Sequence, residues 1–207
     1  MRAHTKATQD SLSPEAAMSI LKEGNERFVR NLRSNRNLLQ MVNETRDGQW
    51  PFAVVLSCID SRTSAELIFD QGLGDIFSAR VAGNVVNEDI LGSMEYAVKY
   101  AGSKLVLVLG HTKCGAVTSA CKKVKDGNIT ALLHKIKPAI ERASKESDSA
   151  TDDPRFIERV AELNVFEAME EIRERSTIIS GLEKEGKIKV VGAVYDVETG
   201  LVSFFDE

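Results

Sequence analysis

The sequence predicts an α/β fold, in which a mostly parallel central β-sheet is flanked by helices and preceded by an N-terminal helical arm. Short apolar, β-branched segments such as Phe52–Ser57 and Lys104–Gly110 are typical of buried parallel strands. Segments with apolar residues at helical spacing alternate with these strands, which is the order found in parallel α/β folds. The 207 residues are enough for one domain with a sizeable core and an additional arm.

The sequence of the N-terminal part predicts a helix followed by an extended arm. Ser13 is a suitable N-cap and Pro14 a suitable first helical residue, so we predict a helix over residues 14–30. Residues 30–49 are polar with few apolar side chains, and we predict an extended segment there. We place the boundary between arm and α/β domain after residue 48, so that the domain covers residues 49–207.

The remaining elements follow in order along the domain. After the first strand we predict a short helix over Ser64–Asp70, a strand over Asp75–Val81 and a helix over Asp89–Ala101 with Gly102 as its C-cap. After the second buried strand we predict helices over Cys114–Lys123, Thr130–Lys145 and Arg155–Thr177, and a final strand pair over Lys187–Tyr195 and Leu201–Phe205.

Composition excludes several classes of protein. With 43% hydrophobic and 28% charged residues the chain is an ordinary globular protein, neither fibrous nor disordered. The net charge is −4 and there is no Lys/Arg-rich run, which argues against a nucleic-acid partner. No apolar segment is long enough to cross a membrane, and the polar start lacks the apolar stretch of a secretory signal, so we expect a cytoplasmic protein.

Two strands end in clusters of polar side chains. Phe52–Ser57 runs directly into Cys58, Asp60 and Arg62, and the next buried strand runs into His111 and Cys114. In open α/β sheets ligands bind at the carboxyl ends of the strands, so these two clusters are expected to form one site.

Cys58, His111 and Cys114 are a plausible set of zinc ligands. Two thiolates and one imidazole are borderline-soft donors that suit a tetrahedral zinc ion. Three protein ligands leave the fourth position open to water, which is typical of a catalytic site. The third cysteine, Cys121, is expected to be a core residue.

Asp60 and Arg62 carry opposite charges and lie two residues apart. A guanidinium can hold a carboxylate bidentately and keep it ionised. Asp60 could then accept a hydrogen bond from a zinc-bound water or hydroxide. Alternatively, Asp60 could itself occupy the fourth zinc position and close the site.

The pair of motifs Cys58-x-Asp60-x-Arg62 and His111-x-x-Cys114 resembles that of the β-class carbonic anhydrases, and the resemblance extends over most of the chain. It implies a mostly parallel α/β fold with one Zn²⁺ per chain. It also implies a tightly associated homodimer, or a dimer of dimers, as the assembly. In this view residues 1–48 form a helix and arm that pack on the partner subunit, and residues 49–207 form the zinc-binding catalytic domain.

The resemblance also implies roles for individual residues. Cys58, His111 and Cys114 match the zinc ligands, and Asp60 with Arg62 matches the catalytic dyad. Five further positions match the substrate pocket, namely Gln49, Phe77, Ala82, Tyr96 and Gly115. In the family the glutamine contributes across the dimer interface, so the active site would need two chains.

One difference from the family pattern indicates which type of β-class carbonic anhydrase the chain resembles. Members of the family that are regulated by bicarbonate carry a tryptophan three residues before the first cysteine, where this chain has Val55. Arg80 and Tyr195 fall near the other two positions of that cluster. The departure favours the plant-like type with an open zinc site. Thr63 also differs from the valine that is common after the dyad arginine.

The implied activity is the reversible hydration of carbon dioxide to bicarbonate by attack of zinc-bound hydroxide. Two thiolate ligands donate more charge than imidazoles do, so activity is expected to rise above neutral pH. Two alternatives remain open, a carbon disulfide or carbonyl sulfide hydrolase with the same site and a non-catalytic, zinc-stabilised assembly protein. Gln49 favours carbon dioxide over the sulfur substrates, and the presence of both Asp60 and Arg62 argues against a non-catalytic role.

Overall fold

A five-stranded sheet forms the centre of the computed structural model, which describes residues 2–147 and 149–205. The strands are β1 (Ala53–Ser57), β2 (Ile76–Arg80), β3 (Leu105–His111), β4 (Lys189–Tyr195) and β5 (Val202–Phe204). Their order in the sheet is β2-β1-β3-β4-β5, with parallel pairing throughout except for the antiparallel pair β4–β5. The predicted mostly parallel sheet is confirmed.

Helices cover both faces of the sheet. Their bounds are α1 (Lys6–Asp10), α2 (Pro14–Val29), α3 (Leu38–Thr45), α4 (Ala65–Ile68), α5 (Glu88–Lys99), α6 (Gly115–Cys121), α7 (Gly127–His134), α8 (Lys137–Glu146), α9 (Pro154–Arg175) and α10 (Thr177–Lys184). A 3-10 turn, Ala82–Asn84, follows β2. No helix within the described ranges is long and apolar enough to cross a membrane.

Alternation of side chains along the strands divides the core into two layers. On one face Val55 and Leu107 pack with Leu21 of α2. On the other face Val54 and Val106 pack with helices α5 and α9. Because β1 and β3 are covered on both sides, every one of their residues is buried, which explains their continuous apolar sequence.

The helix α2 begins as predicted. The Ser13 side chain accepts a hydrogen bond from the amide of Ala16 at 3.2 Å, and Pro14 is the first helical residue, where its missing N–H costs nothing. Leu21 is fully buried, so this helix is part of the core of its own chain. Contact of the N-terminal arm with a partner subunit stays a prediction.

The prediction of an extended segment over residues 30–49 is wrong for its second half. There the helix α3 begins after Asn37, whose side chain accepts a hydrogen bond from the amide of Gln40 at 3.0 Å. Met41 is buried, whereas Leu38 and Leu39 remain exposed. A single anchoring side chain per two turns is too weak a pattern to be distinguished from a polar arm by sequence alone.

The predicted continuous helix over Thr130–Lys145 is also wrong, because it is divided into α7 and α8. The break falls at Lys135 and Ile136, just before Pro138. Proline has no amide hydrogen to donate, so it fits only the first turn of a new helix. The short helices α1 and α10 were not expected from the sequence.

A buried carboxylate fastens the arm to the domain. Asp70 lies after α4 with 3% of its side chain exposed, and it contacts Arg27 Nε at 2.6 Å, Arg36 Nη1 at 2.5 Å and the Ser34 hydroxyl at 2.9 Å. Burial alone would raise the pKa of Asp70, but hydrogen bonds from Arg27, Ser34 and Arg36 lower it to about 2. The charged carboxylate is therefore the form that the folded chain stabilises.

Replacing Asp70 with Asn should lower the free energy of unfolding by about 3 kcal/mol, because two guanidinium groups lose their buried carboxylate partner. Asn tolerates the left-handed backbone at this position (φ 46°), so the charge is the main change. Denaturant unfolding at fixed protein concentration measures the effect.

In the wild type this contribution is present above the unfolded-state pKa of about 4 and fades as the pH falls toward 2. The control is Asp47→Asn, whose exposed pair with Arg46 should contribute less than about 1 kcal/mol. An equal loss in both variants would contradict this account of Asp70.

Candidate active site

The two polar clusters meet at the carboxyl ends of neighbouring strands. Cys58 follows β1, His111 is the last residue of β3, and Cys114 precedes the first residue of α6. The parallel pairing of β1 with β3 places these strand ends side by side. One ligand atom from each of the three residues lies within 4.8 Å of the other two, and all three residues are buried. The structure thus brings together the three predicted metal ligands.

The hydrogen bonding of His111 suits a metal ligand. Its Nδ1 lies 2.9 Å from the carbonyl oxygen of Thr112, which can only accept, so Nδ1 carries the proton. Nε2 is then an acceptor, and it is buried without a hydrogen-bond partner. A buried polar atom without a partner costs about 1–3 kcal/mol. A metal ion held by Nε2 would remove that cost, and the bond from Nδ1 to a carbonyl is the usual second contact of metal-bound histidines.

The two thiols are arranged to hold negative charge. Hydrogen bonds from the Cys114 thiol and from the amide of Gly83, 3.3 Å from Sγ, lower the pKa of the Cys58 thiol. The pKa of Cys114 is raised far above its usual range, because its thiol donates to Cys58 and is buried beside it. One thiolate therefore forms readily, and a cation is needed for the second. A soft or borderline divalent ion such as zinc meets this need.

Gly83 brings its amide to the Cys58 sulfur through a left-handed backbone with φ 69°. A Cβ atom at this position would lie 2.9 Å from the terminal carbon of Ile136, so a larger residue would strain the left-handed backbone and displace the Ile136 side chain. The Gly83 carbonyl accepts a hydrogen bond from the side chain of Asn164 in α9 at 2.8 Å. The sequence pattern did not point to Asn164, which lies 81 residues away from the turn that it supports.

Asp60 and Arg62 form a bidentate ion pair beside the three ligands. Arg62 Nε donates to Asp60 Oδ1 at 2.9 Å, and Nη2 donates to Oδ2 at 2.8 Å. The Arg62 amide donates to Oδ1 as well, at 3.0 Å. The Arg62 guanidinium holds the pKa of Asp60 well below its usual range, so the carboxylate is ionised and fixed in orientation. Asp60 is not part of the group of mutually close ligand atoms.

The backbone of the loop that carries Cys58 and Asp60 is held by two further side chains. Arg80 Nε donates to the Cys58 carbonyl at 3.0 Å, and its Nη2 donates to the Asp60 carbonyl at 2.6 Å. The buried hydroxyl of Thr63 lies 2.9 Å from each of the same two carbonyls. Thr63, which the sequence marked only as a departure from the family pattern, thus helps to position the loop.

A cavity of about 310 Å³ opens beside the metal-ligand cluster, of which Cys58 lines it directly. Two of the predicted pocket residues, Ala82 and Gly115, line it together with Cys58 and Asp60. The rest of its wall is largely apolar, with Ala116 and Ser119 of α6 and Ile129, Leu132 and Leu133 of α7. The apolar residues of α7 were not predicted, because nothing in their local pattern indicates which strand ends the helix will face.

The other three predicted pocket residues lie elsewhere on the single chain. Phe77 and Tyr96 line a groove of about 590 Å³ between α5 and the strand β2, which is the edge of the sheet. Gln49 is exposed just before β1 and is not among the residues of the cavity. Within one chain the predicted pocket residues are therefore separated, with Ala82 and Gly115 in the cavity, Phe77 and Tyr96 in the groove, and Gln49 in neither.

Comparisons with a family model and with known proteins all identify the same family. The family model described as carbonic anhydrase matches residues 53–202. Carbonic anhydrase 2 of Mycobacterium tuberculosis is 37% identical over 196 residues, which cover 91% of each chain. The carbonic anhydrase of Mycolicibacterium smegmatis is 35% identical over 197 residues, which cover 92% of each chain.

Solved structures agree with this assignment. The β-carbonic anhydrase CafA of Aspergillus fumigatus superposes with a TM-score of 0.73 at 27% identity, covering 93% of this chain and 90% of that one. A tetrameric β-carbonic anhydrase of Sordaria macrospora superposes with a TM-score of 0.75 at 24% identity, covering 82% and 87%, and shows the same fold. The chain described here belongs to the carbonic anhydrase family and, within it, to the β class.

Proposed function

We propose that the protein interconverts carbon dioxide and bicarbonate, with zinc held by Cys58, His111 and Cys114. The observation that carries this proposal is the ionised Asp60, clamped by Arg62 at 2.8 and 2.9 Å beside a cluster of three buried ligands. A purely structural zinc site has four protein ligands and needs no oriented carboxylate beside it. Family membership supports the same reaction.

Zinc bound by these residues would supply Lewis-acid chemistry that makes water a nucleophile near neutral pH, a general effect for which carbonic anhydrase is itself the standard example. The two thiols and Nε2 of His111 are the donors. The carbonyl of Thr112 keeps the proton on Nδ1, so that Nε2 faces the metal as a neutral donor. The Gly83 amide stabilises the Cys58 thiolate.

The carboxylate of Asp60 accepts a hydrogen bond from the O–H group of the nucleophile that attacks carbon dioxide. The Arg62 side chain donates one hydrogen bond to each carboxylate oxygen of Asp60. The lone pairs that remain can therefore accept from the nucleophile in only one orientation. The strongly lowered pKa of Asp60 means that this group remains an acceptor across the physiological pH range. Its engagement with Arg62 supports an open metal site over one that Asp60 closes.

The apolar wall of the cavity suits an uncharged linear substrate. Ala82 lies on one side, and Gly115 offers the first backbone amide of α6, which has no partner within the helix and can donate to a substrate oxygen. We propose that the other pocket residues reach this cavity from a second subunit. The position of Phe77 and Tyr96 beside the edge strand β2, away from the ligands of their own chain, supports this arrangement.

Assembly into a homodimer, or a dimer of such dimers, is part of the proposal. The helix α3 of the arm exposes Leu38, Leu39 and Val42, at 55%, 73% and 48% of their surfaces. Three exposed aliphatic side chains on one short helix are typical of a surface that a partner covers. This supports an arm that packs on the partner subunit.

Mixed dimers test whether Gln49 acts across the interface. Gln49→Ala should reduce activity at least about tenfold by loss of substrate orientation, and Asp60→Asn should reduce it further. If Gln49 serves the partner's site, a mixed dimer has one intact site, and coexpression of both variants in equal amounts should give about a quarter of the wild-type activity. Activity below about a tenth of wild type would contradict an action across the interface.

Two alternative substrates are tested on the same zinc-assayed preparation. Carbon disulfide and carbonyl sulfide are also small, linear and uncharged, so the apolar cavity alone does not exclude them. We expect carbon dioxide hydration to be fast and hydrogen sulfide release to be slow. Hydrogen sulfide release faster than hydration would replace the proposed substrate. A zinc-loaded protein that neither hydrates carbon dioxide nor releases hydrogen sulfide would favour the non-catalytic assembly role.

We propose a cytoplasmic setting for this reaction. Two of the three zinc ligands are thiols, and Cys58, Cys114 and Cys121 are all free. Thiol ligands keep their metal only where they are not oxidised to disulfides, which is the condition of a reducing cytosol.

A further inference from the structure

A second cavity lies behind the helices that wall the active site. It has a volume of about 400 Å³ and is formed by residues of α6, α7 and α8, by the segment between α6 and α7, and by Thr151 after α8. Leu133 of α7 lines both this cavity and the one beside the metal ligands. The hydration reaction as described above uses no other residue of the second cavity.

The walls of the second cavity are largely apolar. Ala120, Leu133 and Ile140 contribute buried or half-buried aliphatic surface, and Val124 is exposed at its edge with 41% of its surface. A cavity of this volume is within the range of small-molecule sites. Its apolar surface favours a hydrocarbon body over a fully polar ligand such as a sugar or inorganic phosphate.

The edge of the same cavity is basic, although the whole chain carries a net charge of −4. Three lysines, Lys123, Lys125 and Lys137, line it together with one acidic residue, Glu141. Lys137 pairs with Glu141 at 3.1 Å, whereas Lys123 and Lys125 have no acidic partner in the part of the chain that the structure describes. Two free ammonium groups beside an apolar cavity are complementary to a ligand with an anionic head and an apolar tail.

We propose that the second cavity binds a medium-chain carboxylate, with its hydrocarbon chain between α6, α7 and α8 and its carboxylate at Lys123 and Lys125. The volume and the apolar walls account for the tail, and the two free lysines account for the single negative head group. Because Leu133 is shared with the active-site cavity, the bound chain contacts the helix that forms part of the substrate wall.

Titration calorimetry of the zinc-loaded protein with hexanoate, octanoate and decanoate tests this site without reference to enzymatic activity. Each added methylene group should tighten binding about fourfold until the cavity is full, since burial of one such group contributes about 0.8 kcal/mol. A dissociation constant that does not change with chain length would overturn the proposal, because it would indicate recognition of the carboxylate alone.

The matched variants separate this cavity from the metal site. Lys123→Gln/Lys125→Gln should weaken octanoate binding about fivefold by removing the two cations. Lys145→Gln/Lys184→Gln removes the same charge from exposed positions outside the cavity and should leave the dissociation constant unchanged. Equal affinity in wild type and Lys123→Gln/Lys125→Gln would mean that octanoate binds elsewhere, such as at the metal. That result, or absence of saturable binding up to about 10 mM, would overturn the proposal.

Discussion

The Asp60→Asn variant should hydrate carbon dioxide at least about 100-fold more slowly than the wild type, with its zinc content unchanged. The amide has nearly the same shape as the carboxylate, but one of its two ends is an N–H donor that cannot accept a hydrogen bond. It also lacks the charge that Arg62 clamps through Nε and Nη2. The loss should appear in kcat, because the interaction orients the nucleophile and does not bind carbon dioxide.

Stopped-flow hydration together with zinc analysis measures both parts of this prediction. Asp152→Asn, an exposed substitution of the same chemistry, is the control and should keep the wild-type rate. Arg62→Gln should also be slow, and adding it to Asp60→Asn should cost little more, since the two residues act as one unit. Wild-type turnover by Asp60→Asn would remove Asp60 from the mechanism, and additive losses would show that the two residues act independently.

The Cys58→Ser variant should lose its zinc and all measurable hydration activity. A serine hydroxyl at this buried position stays protonated and is a poor zinc donor, whereas hydrogen bonds from Cys114 and the Gly83 amide lower the pKa of the Cys58 thiol and favour its thiolate. Loss of one of three protein ligands should reduce zinc from one per chain to less than about a tenth of that at equilibrium with a competing chelator.

The third cysteine provides a matched control. Cys121 is buried and free like Cys58, but burial raises its pKa to about 11 and it lies outside the group of ligand atoms. Cys121→Ala should therefore retain zinc and activity, although the lost sulfur will lower stability somewhat. Zinc retention by Cys58→Ser, or zinc loss from Cys121→Ala, would contradict the assignment of the metal ligands.

The metal ligands could be predicted from the sequence because their signal is local. Cys58 directly follows one buried apolar strand and His111 ends another, and the ends of adjacent parallel strands meet at one edge of a sheet. The left-handed turn at Gly83 and its support by Asn164 depend on packing between segments 81 residues apart, and no local pattern reports such a contact. The same holds for Leu132 and Leu133 of α7, whose place in the cavity wall depends on how that helix packs against the rest of the chain.

The division of the predicted pocket has a similar physical reason. The resemblance grouped Gln49, Phe77 and Tyr96 with Ala82 and Gly115, but the fold of one chain leaves them on different surfaces. A pocket completed by a second copy of the chain satisfies both observations. In the proposed homodimer, a symmetric contact through the edge strand β2 would let residues beside β2 of one chain face the ligands of the other.

The most direct test is stopped-flow hydration of carbon dioxide by the zinc-assayed wild type from about pH 6.5 to 9, the range around the expected pKa of the metal-bound water. Arg62 holds the pKa of Asp60 far below this range, so Asp60 stays ionised throughout. Its titration therefore adds no step to the dependence of the rate on pH. We expect a fast rate that rises with pH, with a midpoint above neutrality because two thiolates donate charge to the metal. A zinc-loaded protein without hydration activity at any pH would contradict the proposed function.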